Sequence, residues 1–245
     1  STCRSTGPKL ISEHVSNPVG GPEKSESDFA NKIITVYHNL TPSRYYEFAI
    51  GEPGTKITNT GALMSFSGAK TGRCPKDKRV VYDADSPVSN NIWWNDNNNS
   101  PNYKMDPKAF LVNRETAINH LNNSDKLFVV DAFAGWDKKH RIKVRLISER
   151  AYHAFFVHNM FVRPTKEELK DFDPDFIIFN AGKCPSNRYS NYMTSSTSVN
   201  ISMERQEVVI LGTQYAGEMK KGIFSIMYYL MAQKNILTLH SSANT

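Results

Sequence analysis

The stretch Leu127-Phe128-Val129-Val130-Asp131-Ala132-Phe133-Ala134 determines the fold class of this chain. Its almost continuous apolar run is typical of a strand that is buried on both faces. Residues 142–147 alternate between apolar and charged side chains, which predicts a strand beside it. Residues 176–181 predict another buried strand. We therefore expect these segments to form the centre of a sheet.

Helical patterns lie between the predicted strands. Thr41 followed by Pro42 is a typical helix start, and the helix is expected to end near Gly51. Asp106 and Pro107 begin a second helix over residues 107–122. Further helices are expected at 149–162 and 219–232, further strands at 55–66, 79–82, 198–202, 206–211 and 235–240, and a long surface loop at 83–105. The predicted fold is α/β, with a large mixed sheet and flanking helices.

The composition is that of a globular protein. The 245 residues are 39% hydrophobic and 11% aromatic, and the net charge is +6. A positive charge is compatible with a well-solvated surface, or with a field that attracts carboxylates, phosphates or nucleic acid. Three cysteines do not form a disulfide framework, so a reducing, cytoplasmic location is expected. No apolar run approaches the roughly 20 residues that span a bilayer, so we expect no membrane partner.

The most distinctive motif is residues 212–222 (GTQYAGEMKKG). Its glycines allow close backbone approach to a ligand, and Lys220 and Lys221 lie where a helix start already favours anions. The simpler interpretation is a helix start with exposed lysines. Two adjacent lysines that converge on a cation or a buried site would favour a neutral amine, which can bind a metal. His240 ends an apolar run (NILTLH) and is a metal-ligand candidate or an ordinary core histidine.

A second basic segment, residues 67–71 (SGAKT), is only superficially like a nucleotide-binding loop. Ala69 separates Gly68 from Lys70, so the Gly-Lys pair of a Walker A loop is missing. The loop either is solvated or presents Arg73 as a planar fork to a carboxylate or phosphate.

Other aromatic and histidine residues carry weaker signals. His153 and His158 are five residues apart on a predicted helix, so they share no face, and we interpret them as structural. Trp93 and Trp94 lie in an Asn-rich loop, where a single tryptophan pair is weak evidence for base stacking. We therefore expect no nucleic-acid partner.

The chain resembles the ATP-dependent phosphoenolpyruvate carboxykinases over nearly all of residues 30–244. The resemblance lies in separate segments. These are residues 60–81 (TGALMSFSGAKTGRCPKDKRVV), 126–137 (KLFVVDAFAGWD), 153–184, 212–230 (GTQYAGEMKKGIFSIMYYL) and 239–244 (LHSSAN). It implies conversion of oxaloacetate and ATP to phosphoenolpyruvate, ADP and carbon dioxide.

The resemblance also implies roles for five residues. Arg73 would hold a substrate carboxylate, Tyr215 would pack against the substrate, and Lys220 would face the phosphoryl group. Lys221 would bind both substrate and Mn²⁺, the latter through a neutral amine, and His240 would be a second Mn²⁺ ligand. Mg²⁺ would accompany ATP.

The resemblance implies a domain organisation as well. We expect an N-terminal substrate-binding domain at residues 27–234 and the first strand of a mononucleotide-binding domain at 235–245. Residues 1–26 are rich in Ser, Gly, Pro and charged side chains, and this composition predicts a flexible arm. The family's nucleotide P-loop, a metal-ligating aspartate and a second substrate arginine match nothing in this chain, so we expect the chain alone to be inactive. An alternative is a non-catalytic anion-binding or interaction module derived from the carboxykinase fold. A homo-oligomer is compatible with the sequence, which does not determine the oligomeric state.

Overall fold

The computed structural model describes residues 23–26, 33–190 and 192–241. Its strands are β1 (Glu23–Glu26), β2 (Ile33–His38), β3 (Thr55–Ile57), β4 (Leu63–Ser65), β5 (Lys78–Val81), β6 (Tyr103–Met105), β7 (Lys126–Ala134), β8 (Ile142–Ser148), β9 (Phe176–Ala181), β10 (Ser198–Ser202) and β11 (Glu207–Leu211). Its helices are α1 (Pro42–Ile50), α2 (Pro87–Asn90), α3 (Pro107–Asn122), α4 (Ala151–Met160), α5 (Lys166–Leu169) and α6 (Gly217–Gln233), with a 3₁₀ turn at Pro75–Asp77.

Nine of these strands form one mixed sheet in the order β1-β2-β7-β8-β9-β11-β10-β5-β6, and β3 and β4 form a separate hairpin. The pairs β1–β2, β7–β8 and β10–β11 are antiparallel, whereas β8, β9 and β11 run parallel to one another. The segments that follow β8, β9 and β11 therefore emerge at the same edge of the sheet.

Both faces of the sheet are buried under helices. Helices α1, α4 and α6 cover the face to which Phe128 and Val130 belong. Helix α3 covers the opposite face, which includes Leu127 and Val129. Because successive side chains of a strand point to opposite faces, a strand buried on both sides has to be apolar at every position. This explains the continuous apolar run of β7.

Asp131 is the charged exception within that run. Its carboxylate accepts hydrogen bonds from Arg145 Nε at 2.5 Å and Nη2 at 2.7 Å, and it lies 2.9 Å from His38 Nε2. Asp131 and Arg145 are also cross-strand partners in the register of β7 and β8. A bidentate pair of this kind offsets the cost of burying both charges.

Most predicted elements are confirmed, including α3 after the Asp106 cap, whose carboxylate accepts from Lys108 N at 2.7 Å. The predicted strand at 55–66 is a hairpin that turns at Gly61, where φ is +83°. The long loop at 83–105 contains α2 and the short edge strand β6. Of the expected arm, residues 23–26 form β1, and residues 1–22 lie outside the described residues. The domain boundaries stay a prediction.

The predicted strand at 235–240 is wrong, because these residues form no strand. The mononucleotide-binding domain expected to begin there stays a prediction. Asn235 adopts a φ of +56°, and Ile236 N donates to Met231 O at 2.9 Å, so the chain turns back from the end of α6. An alternating apolar pattern becomes a strand only beside another strand. Within the described residues, segment 236–241 pairs with none.

Two further observations concern the cysteines and the length of the helices. Cys74 and Cys184 are both free thiols. In the part of the chain that the structure describes, no helix combines the length and the apolar character needed to cross a bilayer.

The buried Asp131–Arg145 pair predicts a large stability effect. We expect Asp131→Asn to lower the free energy of unfolding by about 3–5 kcal/mol, because it leaves the Arg145 guanidinium buried without its counter-charge. Urea denaturation followed by circular dichroism measures the change. Asp171→Asn, at an exposed position, is the control and should leave the midpoint unchanged. Equal midpoints for the two variants would contradict the role assigned to the pair.

Candidate functional site

A cavity of about 400 Å³ lies at the edge of the sheet where β8 and β11 end. Its walls come from three parts of the chain: the segment after β4, helix α4, and the loop that leads into α6. The lining residues are Ser65, Ser67, Thr71, Arg73, Tyr152, Phe156, Met160, Gln214, Tyr215, Ala216, Gly217, Lys220 and Lys221. The cavity therefore brings together Arg73, Tyr215, Lys220 and Lys221, four of the five residues that the sequence singled out.

The loop at 212–216 can reach this position because glycines let backbones approach closely. Gly212 has a φ of +68°, and a Cβ there would lie 1.8 Å from the carbonyl oxygen of Ser196. A Cβ on Gly217 would lie 2.6 Å from Cε1 of Tyr215. Any larger residue at either position would displace the loop or the Tyr215 ring.

The positive character of the cavity comes mainly from side chains. At the start of α6, Glu218 N donates to Tyr215 O and Met219 N donates to Ala216 O, both at 3.2 Å, so these two amides are already used. Lys220 is exposed and Lys221 is half-buried. The anion site expected from helix amides is thus mostly a site formed by lysine and arginine side chains.

His240, the fifth residue of the predicted set, lies beside Lys221. The Lys221 amine is 3.2 Å from Nδ1 and 3.1 Å from Nε2 of His240. The Phe224 ring packs against the imidazole with ring centres 5.1 Å apart, and it lies 4.8 Å from the Lys221 amine. The chain reversal after α6 therefore brings the two predicted metal ligands together.

The two nitrogen donors fit part of a metal site. Desolvation, with help from the charges of Arg73 and Lys220, lowers the pKa of Lys221 below its usual value, which favours the neutral amine that a metal requires. The donors are close enough for one divalent ion to bind both. The described residues contain no cluster of three or more His, Cys, Asp or Glu side chains that would complete a ligand set.

Arg73 lines the cavity and is exposed. Among the residues described, no carboxylate lies within ion-pair distance of its guanidinium, so the fork is available to a ligand. The loop that carries it is anchored on both sides. Ser67 O accepts from Gln214 N at 3.3 Å, and Cys74 N donates to Glu218 Oε1 at 2.6 Å.

Arg150 was missed by the sequence analysis. Its side chain is almost completely buried and donates to Gln214 Oε1 at 3.0 Å, to Ser65 Oγ at 2.7 Å and to Phe66 O at 3.3 Å. Its Nε lies 3.4 Å from Glu52, whose carboxylate also accepts from the Ala151 amide. Arg150 thus ties the β3–β4 hairpin and α4 to the loop at 212–216. An Arg at the start of a predicted helix gave no signal for this role.

His153 is structural, as predicted, but it also supports the site. Its Nε2–H donates to Gln214 O at 2.8 Å, and Nδ1 lies 3.3 Å from Ser148 Oγ. Desolvation, with the charge of Arg150 as the second cause, lowers the pKa of His153 to about 3. His153 is therefore neutral at neutral pH and holds the residue before Tyr215.

Trp93 and Trp94 lie apart from this cavity. Trp94 Nε1 donates to Ser89 O at 2.8 Å, and its ring packs edge-on against Tyr82. Trp93 is 64% exposed and lines a different cavity of about 420 Å³, beside the second half of α6. None of the five predicted site residues lines that cavity.

Comparison with known proteins identifies one family. Residues 34–245 match the phosphoenolpyruvate carboxykinase family. The chain is 56% identical over 220 residues to phosphoenolpyruvate carboxykinase (ATP) 2 of Urochloa panicoides, covering 89% of this chain and 34% of that protein. It is also 56% identical over 220 residues to phosphoenolpyruvate carboxykinase (ATP) 1 of Arabidopsis thaliana, covering 89% and 32%. The Candida albicans relative, phosphoenolpyruvate carboxykinase (ATP), is 53% identical over 216 residues, covering 87% and 38%. The chain thus spans about a third of the length of these relatives.

The lowered pKa of His153 predicts how stability depends on pH. The unfolded chain takes up a proton on His153 below pH 6.5 and the folded chain does so only near pH 3, so acid favours unfolding in this interval. We expect the folding equilibrium of the parent to fall by up to about tenfold per pH unit between pH 6 and 4, relative to His153→Gln. Urea denaturation of both proteins at each pH measures this. Parallel pH profiles for the two proteins would refute the assignment.

Proposed function

The chain belongs to the phosphoenolpyruvate carboxykinase family, and from this premise we propose that it supplies the substrate- and metal-binding part of an ATP-dependent phosphoenolpyruvate carboxykinase. The reaction converts oxaloacetate and ATP to phosphoenolpyruvate, ADP and carbon dioxide. One observation carries the proposal: Arg73, Tyr215, Lys220 and Lys221, which come from distant parts of the sequence, line one cavity, with His240 against the Lys221 amine.

Arg73 binds the substrate in this proposal. Its planar guanidinium offers two parallel N–H donors, which match the two oxygens of a carboxylate of oxaloacetate. Tyr215 lines the same cavity and limits where the substrate can lie. Together they orient the carboxylate that leaves as carbon dioxide.

The lysines stabilise the charge that the reaction develops. When the carbon–carbon bond to the leaving carboxylate breaks, its electron pair moves to the carbonyl oxygen and creates an enolate. Lys220 and Arg73 place positive charge near that oxygen in a partly enclosed cavity, where such charge has the strongest effect. The enolate oxygen then attacks the terminal phosphorus of ATP, and ADP leaves.

Lys221 and His240 would hold Mn²⁺, and Mg²⁺ would accompany ATP. A divalent cation held there would supply positive charge that stabilises a developing enolate. Lys221 contributes its amine in the neutral form, which its lowered pKa supports. Arginine stays protonated and cannot replace it.

The proposal extends to partners and location. The partners are the small molecules oxaloacetate, phosphoenolpyruvate and ATP, and nucleic acid and membrane surfaces are not among them. We place the protein in the cytoplasm. A homo-oligomer stays a prediction.

A chimera tests the proposed activity. The homologous segment of the Candida albicans relative is replaced by residues 34–245 of this chain, and manganese-dependent phosphoenolpyruvate formation is measured. We expect the chimera to be active and Lys221→Arg in the chimera to reduce kcat/KM by about 100-fold or more. Lys234→Arg, an exposed lysine beyond the end of α6, is the matched control and should retain activity.

Two outcomes would count against the proposal. Full manganese-dependent activity in the Lys221→Arg chimera would exclude Lys221 as a metal ligand. A folded but inactive chimera, together with phosphoenolpyruvate binding by the 245-residue chain, would favour the alternative of a non-catalytic anion-binding module. Thermal unfolding of the chimera establishes that it is folded.

A further inference from the structure

Glu218 connects the two halves of the cation cluster. Its Oε1 accepts a hydrogen bond of 2.6 Å from the backbone amide of Cys74, 144 residues away in sequence. That amide belongs to the peptide unit that joins Arg73 to Cys74. A short hydrogen bond from an amide to a carboxylate is strong and directional. The contact therefore fixes the plane of the peptide bond from which the Arg73 side chain departs.

The hydrogen bond from the Cys74 amide to Glu218 is buried, so water cannot take the place of either partner. Only 4% of Glu218 is exposed. Desolvation raises the pKa of Glu218, while the hydrogen bond from Cys74 and the charge of Arg73 oppose the increase. A buried carboxylate that loses its donor stays unsatisfied, so the interaction resists exchange with water. Loss of either the Cys74 amide position or the Glu218 carboxylate would therefore leave the other group without its hydrogen-bond partner.

Glu218 also has a fixed relation to the lysines. It lies three residues before Lys221 in the same helix, and residues at this spacing lie on one helical face. A rigid helical turn therefore joins the carboxylate that holds the Arg73 loop to the amine beside His240. Glu218 therefore links Arg73 to Lys221 through the Cys74 amide and one turn of helix.

The positive charges around Glu218 are a second reason to regard it as holding the site together. Arg73, Lys220 and Lys221 line the cavity, and Lys78 lies near Arg73 with its amine 2.9 Å from Asn102 Oδ1. Desolvation and the charge of Arg73 lower the pKa of Lys78 to about 8, and the charge of Glu218 opposes this decrease. Glu218 is thus a counter-charge inside a group of cations that would otherwise repel one another.

We propose that Glu218 is a positioning residue that holds Arg73 at the correct distance from Lys221, and that it thereby sets the affinity of the cavity for a carboxylate substrate. The proposal rests on the function proposed above. Glu218 acts through Arg73 and does not contact the substrate. It adds a residue to the site that composition and motif spacing did not reveal.

Two variants separate position from charge. Glu218→Gln keeps an oxygen that accepts from the Cys74 amide but removes the negative charge, whereas Glu218→Ala removes both. A positioning role predicts that Ala weakens phosphoenolpyruvate binding by about tenfold or more, while Gln stays close to the parent or binds more tightly. If Glu218 acted through its charge alone, both variants would bind phosphoenolpyruvate as tightly as the parent or more tightly.

The experiment uses the 245-residue chain and phosphoenolpyruvate in isothermal titration calorimetry. The Cys74 amide resonance is followed by NMR, because loss of a 2.6 Å hydrogen bond moves it upfield in Ala more than in Gln. Glu207→Gln is the matched control: Glu207 is also buried and paired, through Arg114 at 2.7 Å, but lies at the start of β11, away from the cavity. This control is expected to lower thermal stability without changing binding.

The outcomes distinguish the two proposals. Equal affinities for the Ala and Gln variants, or parent affinity in Ala, would overturn the positioning role while leaving the proposed function intact. If the parent shows no more phosphoenolpyruvate binding than Arg73→Gln, the substrate site itself is wrong and the positioning role is overturned with it. Weaker binding in Ala with rescue in Gln supports the proposal.

Discussion

The burial of the Arg150 guanidinium is the constraint on which the site depends. A cation enclosed by protein must find acceptors for its N–H groups, since an unpaired buried charge destabilises a fold strongly. Arg150 finds them in Glu52, in the β3–β4 hairpin and in Gln214. One side chain thus joins the segments that form three walls of the cavity. The hydrogen bonds from Gln214 N to Ser67 O and from Cys74 N to Glu218 reinforce the positions that Arg150 establishes.

The sheet explains why those segments are available in one place. Strands β8, β9 and β11 are parallel, so the chain leaves each of them at the same edge. Helix α4 follows β8 and brings Arg150 and His153, and α6 follows β11 and brings the two lysines. Ligand sites of open α/β sheets are commonly found at the carboxyl ends of parallel strands. The same parallel arrangement therefore buries the apolar central strands and brings the polar site residues together at one edge of the sheet.

The parts of the structure that could be predicted are those that local patterns specify. The apolar run of β7, the Asp106-Pro107 start of α3 and the glycine-bounded lysine pair each identify an element from a few adjacent residues. Arg150, His153 and Glu218 contribute to the site through partners 61 to 144 residues away, and no local pattern encodes such contacts. Residues 235–240 show the converse: their pattern resembles that of a strand, but among the described residues no strand lies beside them to pair with. The prediction of Arg73, Tyr215, Lys220, Lys221 and His240 as one group relied on family resemblance, since spacing alone left each with a simpler explanation.

The chain reversal after α6 has a consequence for how the two predicted metal ligands are held. Asn235 turns the chain with a φ of +56°. Asparagine adopts this left-handed conformation far more readily than a β-branched residue does. Exposed side chains beyond the turn, such as Leu237, can vary without altering it, whereas a β-branched residue at position 235 would strain the turn that places His240 beside the Lys221 amine. The backbone conformation of one residue outside the cavity is thus part of the geometry of the ligand pair.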